Sequence, residues 1–209
     1  MIITAIEAGE NKKYTIYLND EPAFELYKSE IKSCNIAKGM ELEEELHQRI
    51  LYEIVGKRAK KRAMYILEKR DKTEKQLREK LMENRYPPEA VECAIDYVKS
   101  YGYIDDESYA RRYIEYRCKH KSYKQLKMEL YVKGISNEII DRIFQDMQEE
   151  EFYAIRTMIL KKSCEPWTLE AEKQQKLKMS LMRKGFPYSK IDKVFSQLKE
   201  EQNSKTFLK

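Results

Sequence analysis

Three groups of residues in this chain have types and spacings that chemistry uses. Asp105-Asp106-Glu107 sets carboxylates side by side, as sites that share a cation or a proton do. Cys118-Lys119-His120 offers a thiol and an imidazole, the ingredients of a zinc site or an activated nucleophile. The third group is cationic. Lys57-Arg58-Ala59-Lys60-Lys61-Arg62 forms one cluster, and residues 108–133 hold 8 Lys/Arg against only Glu115 and Glu129. Tyrosines at 109, 113, 116 and 123 are interleaved with the second cluster, so cations there can pair with phosphates while rings face bases.

The first two groups have better structural explanations. Two acids just before the periodic run Tyr109, Ala110, Tyr113, Ile114 are what a helix N-terminus favours, through capping and through the helix dipole. Cys118 and His120 lack the company of a four-ligand or triad site, and the only other histidine is His47. Neither G-x-x-x-x-G-K-[ST] nor G-x-G-x-x-G occurs. No catalytic residue, metal or cofactor is therefore expected. The expected binding residues are Lys57, Arg58, Lys60, Lys61, Arg62, Arg111, Arg112, Arg117, Lys121, Lys124 and Lys127, and either DNA or an acidic protein surface fits them. Tyrosines at helical spacing are more often core, so about half of the interleaved ones are expected inside.

The elements that must position these residues begin with strands. Ile2–Ile6, Tyr14–Leu18 and Ala23–Tyr27 alternate apolar and polar residues, with turn formers at Ala8–Asn11 and Asn19–Pro22 between them. A three-strand antiparallel meander follows, too small to stand alone in water, so it must pack on a following helix. From about residue 43 the spacing turns helical, through Leu46, Ile50, Leu51, Ile54 and Val55 into Ala63, Met64, Ile66 and Leu67.

Beyond that point the chain repeats. Lys75-Gln76-Leu77-Arg78-Glu79-Lys80-Leu81, Lys124-Gln125-Leu126-Lys127-Met128-Glu129-Leu130 and Lys176-Leu177-Lys178-Met179-Ser180-Leu181 match one another, their first leucines 49 and 51 residues apart. Nine residues on stand Tyr86, Ile135 and Phe186; fourteen on, Val91, Ile140 and Ile191; twenty-one on, Val98, Met147 and Leu198. A period of this length marks a tandem helical repeat whose units bury an apolar stripe within and between themselves. Thr73–Gln76 and Ser122–Gln125 read as capping boxes that start the second helix of a unit. Gly134 and Gly185 suit the left-handed turn that ends it, and Pro88 or Ser136 opens the third. Arg85 stands where the other units have Gly, so that turn is expected to close differently, at Asn84.

The fold class expected is thus mainly α, a tandem repeat of three-helix units preceded by a small N-terminal antiparallel β meander. The segments are 1–42 (β-rich), 43–104, 105–149 and 150–209 (three-helix units). At 209 residues the chain can bury a core without staples, and Cys34, Cys93, Cys118 and Cys164, with no C-x-x-C pair, suit reduced thiols in buried or neutral positions. No leader-like start or membrane-length apolar run is present, so a cytoplasmic protein is expected. Charge is divided: residues 1–56 carry 6 Lys/Arg and 11 Asp/Glu, while residues 57–209 carry 35 and 25. A basic body favours a polyanion or an acidic partner, although a merely solvated surface has the same composition.

One stretch carries a family resemblance. Tyr101-Gly102-Tyr103-Ile104-Asp105-Asp106-Glu107-Ser108-Tyr109-Ala110-Arg111-Arg112-Tyr113, with the K-Q-L-x-x-x-L units and the Lys133-Gly134-Ile135 turn, resembles the RecX regulatory proteins. The resemblance is strong over residues 58–148; the N-terminal sheet and the third unit share layout only, the third having a longer connection at Lys162–Trp167 and no Ser/Thr cap on its second helix. It implies a curved array of three-helix units that binds a groove of the RecA–DNA filament and modulates its assembly, ATPase and recombinase activities in DNA repair, recombination and the SOS response. No catalytic residue or cofactor comes with it, and a monomer is expected, with direct contact to single- or double-stranded DNA an open part of the reading. Two rivals stand beside it. A general DNA-binding helical protein would bind naked and RecA-coated DNA equally well. A protein–protein scaffold with solvated charges would keep its partner after joint substitution of Lys60, Lys61, Arg111 and Arg112.

Overall fold

The computed structural model describes residues 1–147 and 150–207. Its strands are β1 (Ile3–Ala8), β2 (Lys13–Leu18) and β3 (Glu21–Tyr27), antiparallel in the order β1-β2-β3, with Ile6 opposite Ile16 and Ile16 opposite Phe24. Asn19 and Asp20 both take positive φ (49° and 69°), the paired left-handed conformation whose twist suits a tight hairpin. The alternation works as expected: Ile3, Ile16, Leu18, Phe24 and Leu26 are buried. A short helix, α1 (Lys28–Ser33), follows directly and lies outside the expected elements, because six residues with a single apolar position give no helical period.

The sheet does pack on a following helix. α2 (Glu44–Arg49) runs through a wider π turn at Ile50–Val55 into α3 (Gly56–Lys69). Leu42, Ile50, Leu51, Val55, Ala59 and Ala63 share one core with the strands, and that core continues into α4 (Glu74–Glu83) and α5 (Pro88–Ser100) through Leu77, Leu81, Val91, Ile95 and Val98. These residues form the first compact unit, Met1–Asp105.

The second compact unit, Asp106–Lys209, holds the later helices. α6 (Asp106–Arg117), α7 (Tyr123–Val132) and α8 (Asn137–Asp146) enclose Ala110, Ile114, Leu126, Leu130, Ile135, Ile140 and Ile143. α9 (Glu150–Lys162), α10 (Ala171–Arg183) and α11 (Tyr188–Phe207) enclose Ile155, Ile159, Leu177, Leu181, Phe186, Ile191 and Leu198. The boundary expected at 149 and 150 abuts residues 148–149, and the last expected positions, 208–209, lie outside the described residues.

The repeat register is a packing register. Leu77, Leu126 and Leu177 are buried, as are Val91, Ile140 and Ile191; Tyr86 and Met147 are half-buried against the same cores. Both capping boxes form, Gln76 N–H donating to Thr73 Oγ1 at 3.2 Å and Gln125 N–H to Ser122 Oγ at 3.3 Å, whereas α10 has no side-chain cap.

One expectation is corrected. Arg85 itself takes the left-handed conformation, φ 60°, where Gly134 and Gly185 have 92° and 89°. Arg85 N–H bonds to Met82 O and Tyr86 N–H to Leu81 O, as Gly134 and Ile135, and Gly185 and Phe186, bond to the equivalent carbonyls. The turn therefore closes in the same way in all three places, because two backbone hydrogen bonds and the burial behind them outweigh the roughly 1 kcal/mol that a side chain costs there.

Candidate nucleic-acid interface

Helix geometry splits the first basic cluster. Residues three and four apart share a face, so Lys57, Lys60, Lys61 and Met64 lie together while Arg58 and Arg62 fall elsewhere. Arg58 is structural: its guanidinium meets Glu30 at 2.8 Å, donates to the Glu25 carbonyl in β3, and lies over the ring of Tyr27. Arg62 donates from Nε to Asn84 Oδ1 at 3.1 Å and covers Tyr65. Lys57 and Lys61 point to solvent and, among the described residues, make no ion pair; Lys60 Nζ lies 5.3 Å over the ring of Tyr97 in α5. The three lysines, with Met64, Tyr65, Glu68 and Tyr97, line a groove of about 610 Å³.

The second cluster is largely committed to its own unit. Arg111 pairs with Glu107 at 2.9 Å and lies 3.7 Å from Asp146. Glu107 also takes Arg142 at 3.1 Å, so the acids expected at a helix N-terminus are there, with Asp106 and Glu107 in the first turn of α6 and Glu107 tying it to α8. Arg117 lies over Tyr113, and Lys121 is bound by Glu129. Burial and the hydrogen bond to Glu129 push the Tyr113 hydroxyl up to about 12. Arg112 and Lys124 are solvent-exposed. Of the interleaved tyrosines, Tyr109, Tyr113 and Tyr123 pack against the core and only Tyr116 is exposed, so more of them are inside than expected.

Lys127 belongs to a device that recurs. It meets Asp141 at 2.6 Å; Lys178 meets Asp192 at 2.5 Å, and Arg78 pairs with Glu92. Each cation immediately follows an anchor leucine and each acid lies fourteen residues further on, so one ion pair joins the second and third helices of every unit. Lys127 and Lys178 also lie over Phe144 and Phe195, again equivalent positions. The signal is present in the sequence as opposite charges at fixed register, which an alignment of apolar positions alone passes over.

Elsewhere, Cys118 is half-buried with its Sγ donating to the Glu115 carbonyl, His120 is exposed, and Cys164 is exposed rather than buried. Among the described residues no group of three or more His, Cys, Asp or Glu is arranged to hold a metal ion, and no helix is long and apolar enough to cross a membrane.

The fold and this surface define a class: a tandem three-helix-repeat protein with a small β meander at its front and a lysine-lined groove on its first unit. Models of the RecX family match within it, that of the first three-helix domain over residues 59–97 and that of the second over 105–142. The regulatory protein RecX of Clostridium acetobutylicum is 31% identical, over 96% of this chain and 98% of its own length; that of Caldanaerobacter subterraneus is 30% identical, over 94% and 99%. A crystal structure of regulatory protein RecX superposes with a TM-score of 0.61 at 27% identity, covering 95% of this chain and 98% of that one. RecX from Lactobacillus salivarius shares the fold, with a TM-score of 0.63 at 23% identity over 69% of this chain. The chain belongs to the RecX family of regulatory proteins.

Proposed function

We propose that the chain is a non-catalytic cytoplasmic regulator that binds the RecA–DNA filament and, by binding alone, restrains its assembly, ATP hydrolysis and strand exchange in repair and the SOS response. We assign that work to its four segments, 1–42, 43–104, 105–149 and 150–209, as a monomer. Family membership supports the reading, and the relatives are named regulatory proteins. The observation that carries it to residues is the division within the first basic cluster. Arg58 and Arg62 hold the fold, while Lys57, Lys60 and Lys61 line an open groove. Of the remaining candidates, Arg112 and Lys124 are the exposed cations, and Arg111, Arg117, Lys121 and Lys127 serve mainly the packing of their own unit.

Single-strand-dependent ATP hydrolysis by the cognate RecA, measured over a range of ratios of this protein, tests the reading. Inhibition well below saturation of the DNA is the expected result. Inhibition only through competition for DNA would instead make this a general DNA-binding protein. Affinity should fall with salt, as it does when cations displace counterions from phosphate.

A further inference from the structure

At the end of α5 a run of aromatic rings leads out of the core, from half-buried Tyr97 to two rings that the core does not cover. Gly102 turns at φ 68°, Gly102 N–H bonds to Lys99 O and Tyr103 N–H to Val98 O, and Ile104 is then tucked into the core at 8% exposure. That turn leaves Tyr101 and Tyr103 outside, 63% and 52% exposed. The Tyr97 and Tyr101 rings lie 4.9 Å apart and those of Tyr101 and Tyr103 6.0 Å apart, the latter pair near parallel at 25°. Tyr97 also lines the lysine groove, together with the half-exposed Tyr65, and lies beneath Lys60.

We propose that the tyrosine run Tyr97–Tyr101–Tyr103, entered from the Lys57/Lys60/Lys61 groove, is a base-stacking site for single-stranded nucleic acid. The proposal deepens the functional reading above by naming the ligand of that groove. The exposed rings of Tyr101 and Tyr103 offer π faces to successive bases, half-buried Tyr97 joins them to the groove, and neighbouring ammonium groups meet the phosphates. Three lysines against Glu68 give the groove a positive balance. A neighbouring hollow shares Lys60 and Tyr97 with the groove and adds Glu89, Glu92 and Asp96; Glu92 is paired with Arg78, so Glu89 and Asp96 are the carboxylates that disfavour phosphate on that side. The rings of Tyr109, Tyr113 and Tyr123 are used for packing within the second unit.

The test is binding of the full-length protein to a dye-labelled oligothymidylate, without RecA, by fluorescence anisotropy. Joint substitution Tyr101→Ala and Tyr103→Ala should weaken binding by at least about tenfold with an unchanged salt slope, and Phe at both positions should restore it. Lys57→Gln with Lys61→Gln should lower the salt slope by roughly one for each phosphate that is no longer neutralised. Both pairs are exposed, so thermal midpoints should stay at the wild-type value. Tyr101→Trp should show indole emission quenched by the oligonucleotide, against a Trp167 background. Unchanged affinity of the alanine variant overturns the proposal, as does polyglutamate competing as well as oligothymidylate, since that would make the groove a site for acidic peptides. Because RecA is absent, these outcomes do not depend on whether filament regulation holds; wild-type protein without effect on RecA hydrolysis would sink that reading alone.

Discussion

The hydroxyl of Ser122 donates to the carbonyl oxygen of Lys184 at 2.7 Å, joining the start of α7 to the end of α10 across 62 residues. The same oxygen of Ser122 accepts the Gln125 N–H, so one fully buried hydroxyl caps one helix and satisfies a last carbonyl of another. Glu151, 2% exposed, reinforces the junction by accepting from Tyr123 N–H at 3.0 Å and from Lys190 Nζ at 2.8 Å. Ser122→Ala removes a cap and strands a carbonyl, and should cost about 2 kcal/mol. Gly185→Ala should cost at least as much, since an added Cβ would meet Ser122 Oγ at 2.8 Å at a φ that disfavours side chains. Urea unfolding of both variants measures this, and a cost near zero for either would refute the junction.

Arg85 makes the opposite case. Its left-handed backbone is strained for a side chain, and the Glu25 carboxylate that it faces lies at a distant 3.7 Å. Arg85→Gly should therefore stabilise the first unit by about 0.5–1 kcal/mol, read as a raised urea midpoint at unchanged slope.

Arg58 and its neighbours separate folding from binding. Arg58→Ala leaves Glu30 and the Glu25 carbonyl without their cation and should destabilise by about 1.5–3 kcal/mol. Lys57→Ala and Lys61→Ala should stay within about 0.5 kcal/mol of wild type. Thermal melts of the three variants decide whether the cluster divides as the helix faces indicate.

Acid and alkali should both act through Tyr113 and Glu129, whose side chains meet at 2.8 Å. Burial alone would raise Glu129, but hydrogen bonds from Lys121 and Tyr113 outweigh it and hold the carboxyl below its ordinary 4.5. The unfolded chain then takes up this proton first, so the stabilisation is complete above about pH 4.5 and is lost as pH falls through the depressed folded value. Tyr113, raised from 10 to about 12, stabilises fully below pH 10 and loses its contribution as pH climbs toward 12. Melting temperatures across pH should show a shallower acid decline in Glu129→Gln and a shallower alkaline decline in Tyr113→Phe.

The repeat, its caps and its core are legible in the sequence because each is a local matter. A capping box spans four residues, and an apolar stripe recurs every three or four whatever lies across from it. The leucine register then carries the same reading through three units. Arg85 misleads because its identity argues against a left-handed turn that Leu81 and Tyr86, packed beneath it, impose.

Which cations remain available was decided by tertiary structure. In one dimension Lys57, Arg58, Lys60, Lys61 and Arg62 are equivalent. Folding places Glu30, the Glu25 carbonyl and Asn84 against two of them and open groove against the other three. The partners come from a strand, a short helix and a helix terminus up to 33 residues away, brought in by burial of the shared core. The sequence by itself determined a basic, helical repeat; only packing divided its charges between holding the fold and facing a ligand, because a hydrogen bond goes to whichever group the core brings within about 3 Å.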